Sequence, residues 1–158
     1  GSFVIWTWEM KKIEDTKLAI VVSEFNKIVT DGLKKSAIDC FISSKGSLDK
    51  IDIYNVPGAF EIPGAVSQII KKKKADIIVA LGCIIKGETP HFDFIATETS
   101  RALMKMIIQY DIPIGFGILT TNNMKQALER SRDDDTNKGR EAMLAALDTY
   151  KVYNQTKS

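Results

Sequence analysis

The sequence predicts an α/β protein, a parallel sheet with helices packed on both faces. Two observations carry this. Short apolar, β-branched runs alternate with longer stretches of helical periodicity along nearly the whole chain. The links between them are short, as in repeated strand–helix units joined by right-handed crossovers.

The elements follow in order. Residues 1–9, "GSFVIWTWE", carry both tryptophans. They read either as a tag-like tail, Gly1-Ser2 resembling a cloning remnant, or as a strand over residues 3–8 that needs a sheet edge. Residues 10–158 then form one domain. "KLAIVV" (17–22) is a buried-strand pattern. "SEFNKIV" interrupts it, and Thr30 opens a helical stretch with Leu33, Ala37, Cys40 and Phe41 on its apolar side. Gly46 stands past its end, at a C′ position. "KIDIYNV" (50–56) alternates as a strand and stops at Pro57-Gly58. "IPGAVSQIIKKKK" is a short helix whose lysine run, 71–74, lies where cations suit the helix dipole. "ADIIVALGC" (75–83) is the clearest buried strand. "FDFIATETSRALMKMIIQY" is a long helix, broken by Asp111, Ile112 and Pro113. "IGFGILT" (114–120) is a further strand. "NMKQALERS" and "REAMLAALDTY" are helices split by the polar "RDDDTNKG".

The bulk numbers narrow the function. The 158 residues fit one domain with a sizeable core. The net charge of +2 is too small to imply nucleic acid. Two cysteines far apart and a single histidine make no disulfide framework and no zinc site within one chain. No apolar stretch approaches the ~20 residues of a membrane span, and no signal peptide is visible, so a cytoplasmic protein is expected.

Ligands of parallel sheets bind beyond the carboxyl ends of the strands. The informative segments are therefore "SEFN", "PGAFE", "CIIKGETPH" and "TTNN". In "GETPH", Thr89 fits an N-cap and Pro90 the first helical position. The free N–H groups and positive dipole end of that helix suit a phosphate. His91 would sit one residue into the helix, either as a proton carrier with a pKa of about 6.5 or as a partly exposed structural histidine. Phe25 and Phe60 follow strands; each either stacks on a flat ring or closes the core. Glu61 either accepts hydrogen bonds from ligand hydroxyls or complements a helix dipole.

Several motifs fail. "GFGILT" lacks the third glycine of a dinucleotide fingerprint and enters a strand instead of leaving one. In "GCIIKGET" the lysine precedes the second glycine, so it is not a phosphate-binding P-loop. "DDDTNKG" has Lys138 where a calcium loop needs glycine, and Leu144 where it needs glutamate.

Taken in order and spacing, "VVSEFN", "VPGAFEIP", "ALGCIIKGETPHFDFI", "PIGFGILTTNN", "QALER" and "NKG" resemble the lumazine synthase family of riboflavin biosynthesis, over about residues 17–150. The resemblance implies a three-layer αβα sandwich, flavodoxin-like, with a four-stranded parallel sheet and an extra N-terminal strand. It implies condensation of 5-amino-6-(D-ribitylamino)uracil with 3,4-dihydroxy-2-butanone 4-phosphate, without cofactor or metal. By the same resemblance, Phe25 stacks on the pyrimidine, and Asn26 with Ala59, Phe60 and Glu61 holds the ribityl chain and the ring's surroundings. The backbone of Cys83, Ile84 and Ile85 contacts the ring system. Glu88 and Thr89 cradle the phosphate, Arg130 pairs with it, and His91 shuttles protons. Phe116 and Arg130 come from a neighbouring subunit, and Lys138 matches the family lysine near the site. The family is expected to assemble as a homopentamer, with a sixty-subunit shell and an association with riboflavin synthase as further expectations; neither nucleic acid nor membrane is a partner. The alternative is a non-enzymatic assembly scaffold, or a paralogue that binds flavin or lumazine without turnover. Three departures stand out. Lys86 replaces a frequent arginine, Cys83 a frequent threonine, and "SRDDDTNKG" a link usually rich in glycine and alanine. Asp133, Asp134 and Asp135 there would bring like charges together around a symmetry axis.

Overall fold

The computed structural model describes residues 11–157, so the strand expected over 3–8 lies outside the described residues. Four strands, β1 (Leu18–Ser23), β2 (Ile51–Val56), β3 (Ile77–Ile85) and β4 (Ile114–Thr121), pair in parallel in the order β2-β1-β3-β4. Five α-helices accompany them: α1 (Lys27–Ser43), α2 (Ile62–Lys71), α3 (Phe92–Tyr110), α4 (Met124–Glu129) and α5 (Lys138–Gln155). This is the expected flavodoxin-like three-layer sandwich. Among the described residues no helix is long and apolar enough to cross a membrane.

Strand periodicity divides the core in two. Leu18, Ile20 and Val22 of β1, with Ile77, Val79 and Leu81 of β3, face α1 and α5 through Leu33, Phe41, Met143 and Leu147. Ala19 and Val21 of β1, with Ile78 and Ala80 of β3, face α2 and α3 through Ile62, Val66, Leu103 and Met106. Both central strands are therefore buried on both faces, which is why their sequences are almost unbroken apolar runs. Strand β2, at an edge of the described sheet, is only partly buried.

Several boundaries differ from the sequence reading, each for a local reason. Helix α1 begins at Lys27, not Thr30. Asn26 adopts a left-handed conformation (φ 60°), which asparagine tolerates better than most residues. Its carbonyl already accepts from Val29 and Thr30 N–H at 2.9 and 3.1 Å. At the other end, Lys45 (φ 77°), not Gly46, is the left-handed C′ residue. Gly46 N–H donates to Phe41 O at 2.8 Å and Lys45 N–H to Ile42 O at 3.1 Å, a Schellman arrangement. Glycine is needed at 46 because a Cβ there would overlap the buried Phe41 ring. Strand β3 runs two residues further than expected, to Ile85.

Helix α5 begins at Lys138 because the buried Asn137 caps it, its Oδ1 accepting from Gly139 and Arg140 N–H at 2.8 and 3.1 Å. Its approach to α1 is close, since a Cβ on Gly139 would overlap the Leu33 carbonyl oxygen. Gly139→Ala should therefore cost about 1–3 kcal/mol of stability. Gly64→Ala in α2, where a Cβ meets nothing within 4 Å, should instead be neutral or add up to about 1 kcal/mol. Urea unfolding of both variants reads this; an unchanged midpoint for Gly139→Ala would contradict the α1–α5 packing.

Candidate active site

The strand order places a topological switch between β1 and β3. The chain leaves β1 toward β2 on one side, and returns through α2 to β3 on the other. Connections that diverge in this way leave a crevice at the carboxyl ends of the two strands. A cavity of about 260 Å³ occupies that place. Phe25 lines it from beyond β1, Ala59, Phe60 and Glu61 from the turn after β2, and Cys83, Ile84 and Ile85 from the end of β3. Glu88, Thr89 and Ile95 close it from the loop and first turns before and within α3.

Backbone pairing holds the first wall. Glu24 N–H donates to Val56 O at 2.8 Å and Phe25 N–H to Pro57 O at 3.1 Å, carrying the β1–β2 contact past the strands. Phe25 and Phe60 are 57% and 59% exposed. Neither closes the core, so each ring offers exposed surface to a flat ligand. The left-handed turn at Asn26 brings its amide to Cys83 O (3.4 Å) and Glu88 Oε2 (3.2 Å), joining the loops that follow β1 and β3. Glu61 ends a 3-10 turn (Ala59–Glu61) and stands at the N-cap position of α2 with no capping hydrogen bond from its side chain. Its carboxylate suits both the helix dipole and a ligand hydroxyl.

The loop after β3 corrects the expected cap. Thr89 is not the N-cap and Pro90 is not the first helical residue. Helix α3 starts at Phe92 with His91 at the N-cap position, and its first bond runs from Ile95 N–H to His91 O at 2.8 Å. The cause lies upstream. Lys86 N–H still pairs with Thr121 O, Gly87 turns the chain at φ 91°, Thr89 bridges back to Lys86, and residues 90 and 91 are spent in a further turn. Thr89 Oγ1 accepts from His91 N–H at 3.2 Å. Of α3 itself only Ile95 lines the cavity, and its N–H is already given to His91 O. The Glu88 carboxylate would repel an anion there; its Oε2 accepts from Asn26 at 3.2 Å, and its N–H donates to Ile85 O at 3.2 Å.

His91 is exposed and lines an adjoining hollow with Phe60, Glu61, Phe94 and Ile95. The two hollows share Phe60, Glu61 and Ile95. Cys83 lines the main cavity, but burial pushes its thiol up to about 12. It is therefore neither a nucleophile nor a thiolate ligand near neutral pH. Among the described residues no group of three His, Cys, Asp or Glu side chains is placed to hold a metal ion.

Phe116, Arg130 and Lys138 do not line this cavity within the chain. Phe116 lies on β4, against Leu103, Met104 and Ile107 of α3. Arg130 Nε donates to Thr136 O at 2.8 Å, and its Nη2 to Glu141 Oε2 at 2.8 Å. Lys138 Nζ donates to Glu141 Oε1 at 3.2 Å. The three aspartates expected to crowd together each have a partner within the chain. Asp133 faces Lys35 at 3.8 Å and Asp135 faces Arg140 at 3.6 Å. Asp134 accepts from the N–H and hydroxyl of Thr136, which holds its carboxyl below the usual range. Ile95, Phe94 and Glu141 were missed by sequence reasoning. The first two meet Phe60 only in three dimensions, around one hollow, and the sole signal for Glu141 was its i,i+3 spacing from Lys138.

The family model described as 6,7-dimethyl-8-ribityllumazine synthase matches residues 15–154. A protein of that name from Nautilia profundicola is 42% identical over 139 residues, 88% of this chain and 90% of its own. One from Chlorobium limicola is 39% identical over 153 residues, covering 93% and 99% respectively. One from Chlorobaculum tepidum is 43% identical over 139 residues, covering 88% and 90%.

Proposed function

The chain belongs to the 6,7-dimethyl-8-ribityllumazine synthase family, and from that premise we propose the chemistry of its strand-end cavity. It is an enzyme of riboflavin biosynthesis. It condenses 5-amino-6-(D-ribitylamino)uracil with 3,4-dihydroxy-2-butanone 4-phosphate, giving 6,7-dimethyl-8-ribityllumazine, phosphate and water, and we class it as a transferase. The observation that carries this reading is the family match across residues 15–154, joined to an aromatic-walled cavity at the switch point of the sheet.

In this reading the pyrimidine stacks on Phe25, whose exposed ring supports the role. Asn26, Ala59, Phe60 and Glu61 hold the ribityl chain and ring edge, and the backbone of Cys83, Ile84 and Ile85 meets the ring system. The phosphate lies before the start of α3, in the loop of Glu88 and Thr89. The amine of the pyrimidine attacks the ketone and water leaves, giving an imine. Phosphate is then eliminated, and ring closure releases a second water. Each step moves a proton, which His91 carries at the mouth of the cavity. Most of the acceleration comes from holding two reactants together.

The guanidinium that would neutralise the phosphate is Arg130 of a neighbouring subunit, with Phe116 closing the pocket and Lys138 beside it. Their absence from the cavity of their own chain supports a shared site. So do the exposed Phe94, Met104, Ile108 and Phe116, an apolar face along α3 and β4 suited to another copy. In this reading the chain assembles as a pentameric ring, its heterologous contact closing on itself. The sixty-subunit shell and the association with riboflavin synthase stand as extensions of the same reading. The protein works in the cytoplasm and needs no cofactor.

Mixing the two substrates should produce lumazine absorbance and fluorescence; no product would sink the reading. His91→Ala should lower kcat by about 10–10³-fold while leaving thermal unfolding unchanged, because the residue is exposed at a helix start. An unchanged kcat would remove His91 from the mechanism. Light scattering should give five chain masses for the ring or sixty for the shell, and a particle of one 17.6 kDa chain would contradict both.

A further inference from the structure

Glu141 holds two cations at once. Its Oε2 accepts from Arg130 Nη2 at 2.8 Å and its Oε1 from Lys138 Nζ at 3.2 Å. The arrangement is braced on each side. Arg130 Nε is committed to Thr136 O at 2.8 Å, and Lys138 N–H donates to Arg130 O at 2.8 Å. Asn137 Nδ2 donates to Arg132 O at 2.8 Å while Asn137 Oδ1 caps α5, which fixes the helix turn that carries Glu141. Two of the five guanidinium N–H groups are thereby used, and three remain to meet an anion.

The charges explain why a carboxylate is needed. Arg130, from the C-cap of α4, brings its guanidinium beside Lys138 in the first turn of α5, where the positive dipole end adds to the repulsion of the two like charges. Without an anion between them, two flexible cations would separate and sample many rotamers. Glu141 stands in the first turn of α5, where the dipole favours a carboxylate. It leaves the trio with one net positive charge and one geometry.

Resting on the reading that Arg130 binds the substrate phosphate, we propose that Glu141 is a positioning residue that presets the Arg130 guanidinium and the Lys138 ammonium for the two substrates. It touches neither substrate and acts through those cations. A purely electrostatic view predicts the opposite sign, since removing a nearby carboxylate would strengthen the attraction of Arg130 for an anion. Positioning predicts weaker binding in spite of the gained positive charge.

The test uses the full-length enzyme and four proteins: wild type, Glu141→Gln, Arg130→Ala, and the double variant. Glu141→Gln should raise the KM for the butanone phosphate and the inhibition constant of inorganic phosphate. The rise should be about three- to tenfold, the scale of one charge-assisted contact at a half-exposed site. Its kcat should stay within about twofold, the pattern of lost uniform binding. In the Arg130→Ala background the same substitution should change neither constant further, as a coupled pair requires. Glu141→Asp, which keeps the charge but shortens the reach, should fall between wild type and Glu141→Gln. If Arg130→Ala leaves phosphate binding unchanged, the reading of Arg130 fails and the proposal falls with it. If Arg130→Ala weakens phosphate but Glu141→Gln does not, or tightens it, only the positioning role is overturned. Equal effects of Glu141→Gln in both backgrounds would mark a structural role and overturn it as well.

Discussion

The pairing of β1 with β3 is the constraint on which the rest depends. It joins two strands that are buried on both faces, and it forces the chain to diverge at their carboxyl ends. Everything at the cavity follows from that divergence. Asn26 turns left-handed where β1 gives way to α1, and its amide spans the gap to Cys83 and Glu88. Gly87 reverses the chain after β3, which sets the start of α3 and so the place of His91. A charge substituted into Val21 or Ala80, at the centre of this pair, would carry the cost of an unpaired buried group and disturb both walls together.

Much of the fold was legible because the signal was strong and local. The runs at β1 and β3 are apolar throughout, as strands with two buried faces must be, and the helices between them are long enough to show their period. The strand-end rule then pointed to the segments after each strand, and the structure brings Phe25, Ala59 to Glu61, Cys83 to Ile85, Glu88 and Thr89 around one cavity. The starts of helices were less legible. At α1, α3 and α5 the first turn is set by something a linear pattern does not carry. These are a left-handed asparagine, a glycine reversal two residues before a proline-containing turn, and an asparagine buried beneath its own helix. Lys45 taking the left-handed place beside Gly46 is a similar case. There the packing of Phe41, not backbone freedom, decides where the glycine must stand.

The link "SRDDDTNKG" was the least legible segment. Within the chain each of its aspartates has a partner: Lys35 on α1, Thr136 in the link itself, and Arg140 on α5. Two of these partners are distant in sequence or presented by a helix whose start was itself misread. The same folding of the link brings Arg130 and Lys138 onto Glu141, 11 and 3 residues away. The segment is therefore tied down by its own side chains, and it holds the cations on Glu141, outside the lining of the strand-end cavity.

Phe116, Arg130 and Lys138 thus lie outside the aromatic cavity at the strand ends: Phe116 beside α3, and the two cations on Glu141 at the start of α5. The central claim is that neighbouring subunits join them to it. Subunit complementation tests it most directly. His91→Ala and Arg130→Ala chains are unfolded, mixed in equal amounts and refolded together, and lumazine formation is compared with that of each variant refolded alone. A shared site predicts recovery to about one quarter of wild-type activity, because random neighbours in a ring rebuild about one intact site in four. Activity no greater than the mean of the two variants would contradict it, and would place the whole site within a single chain.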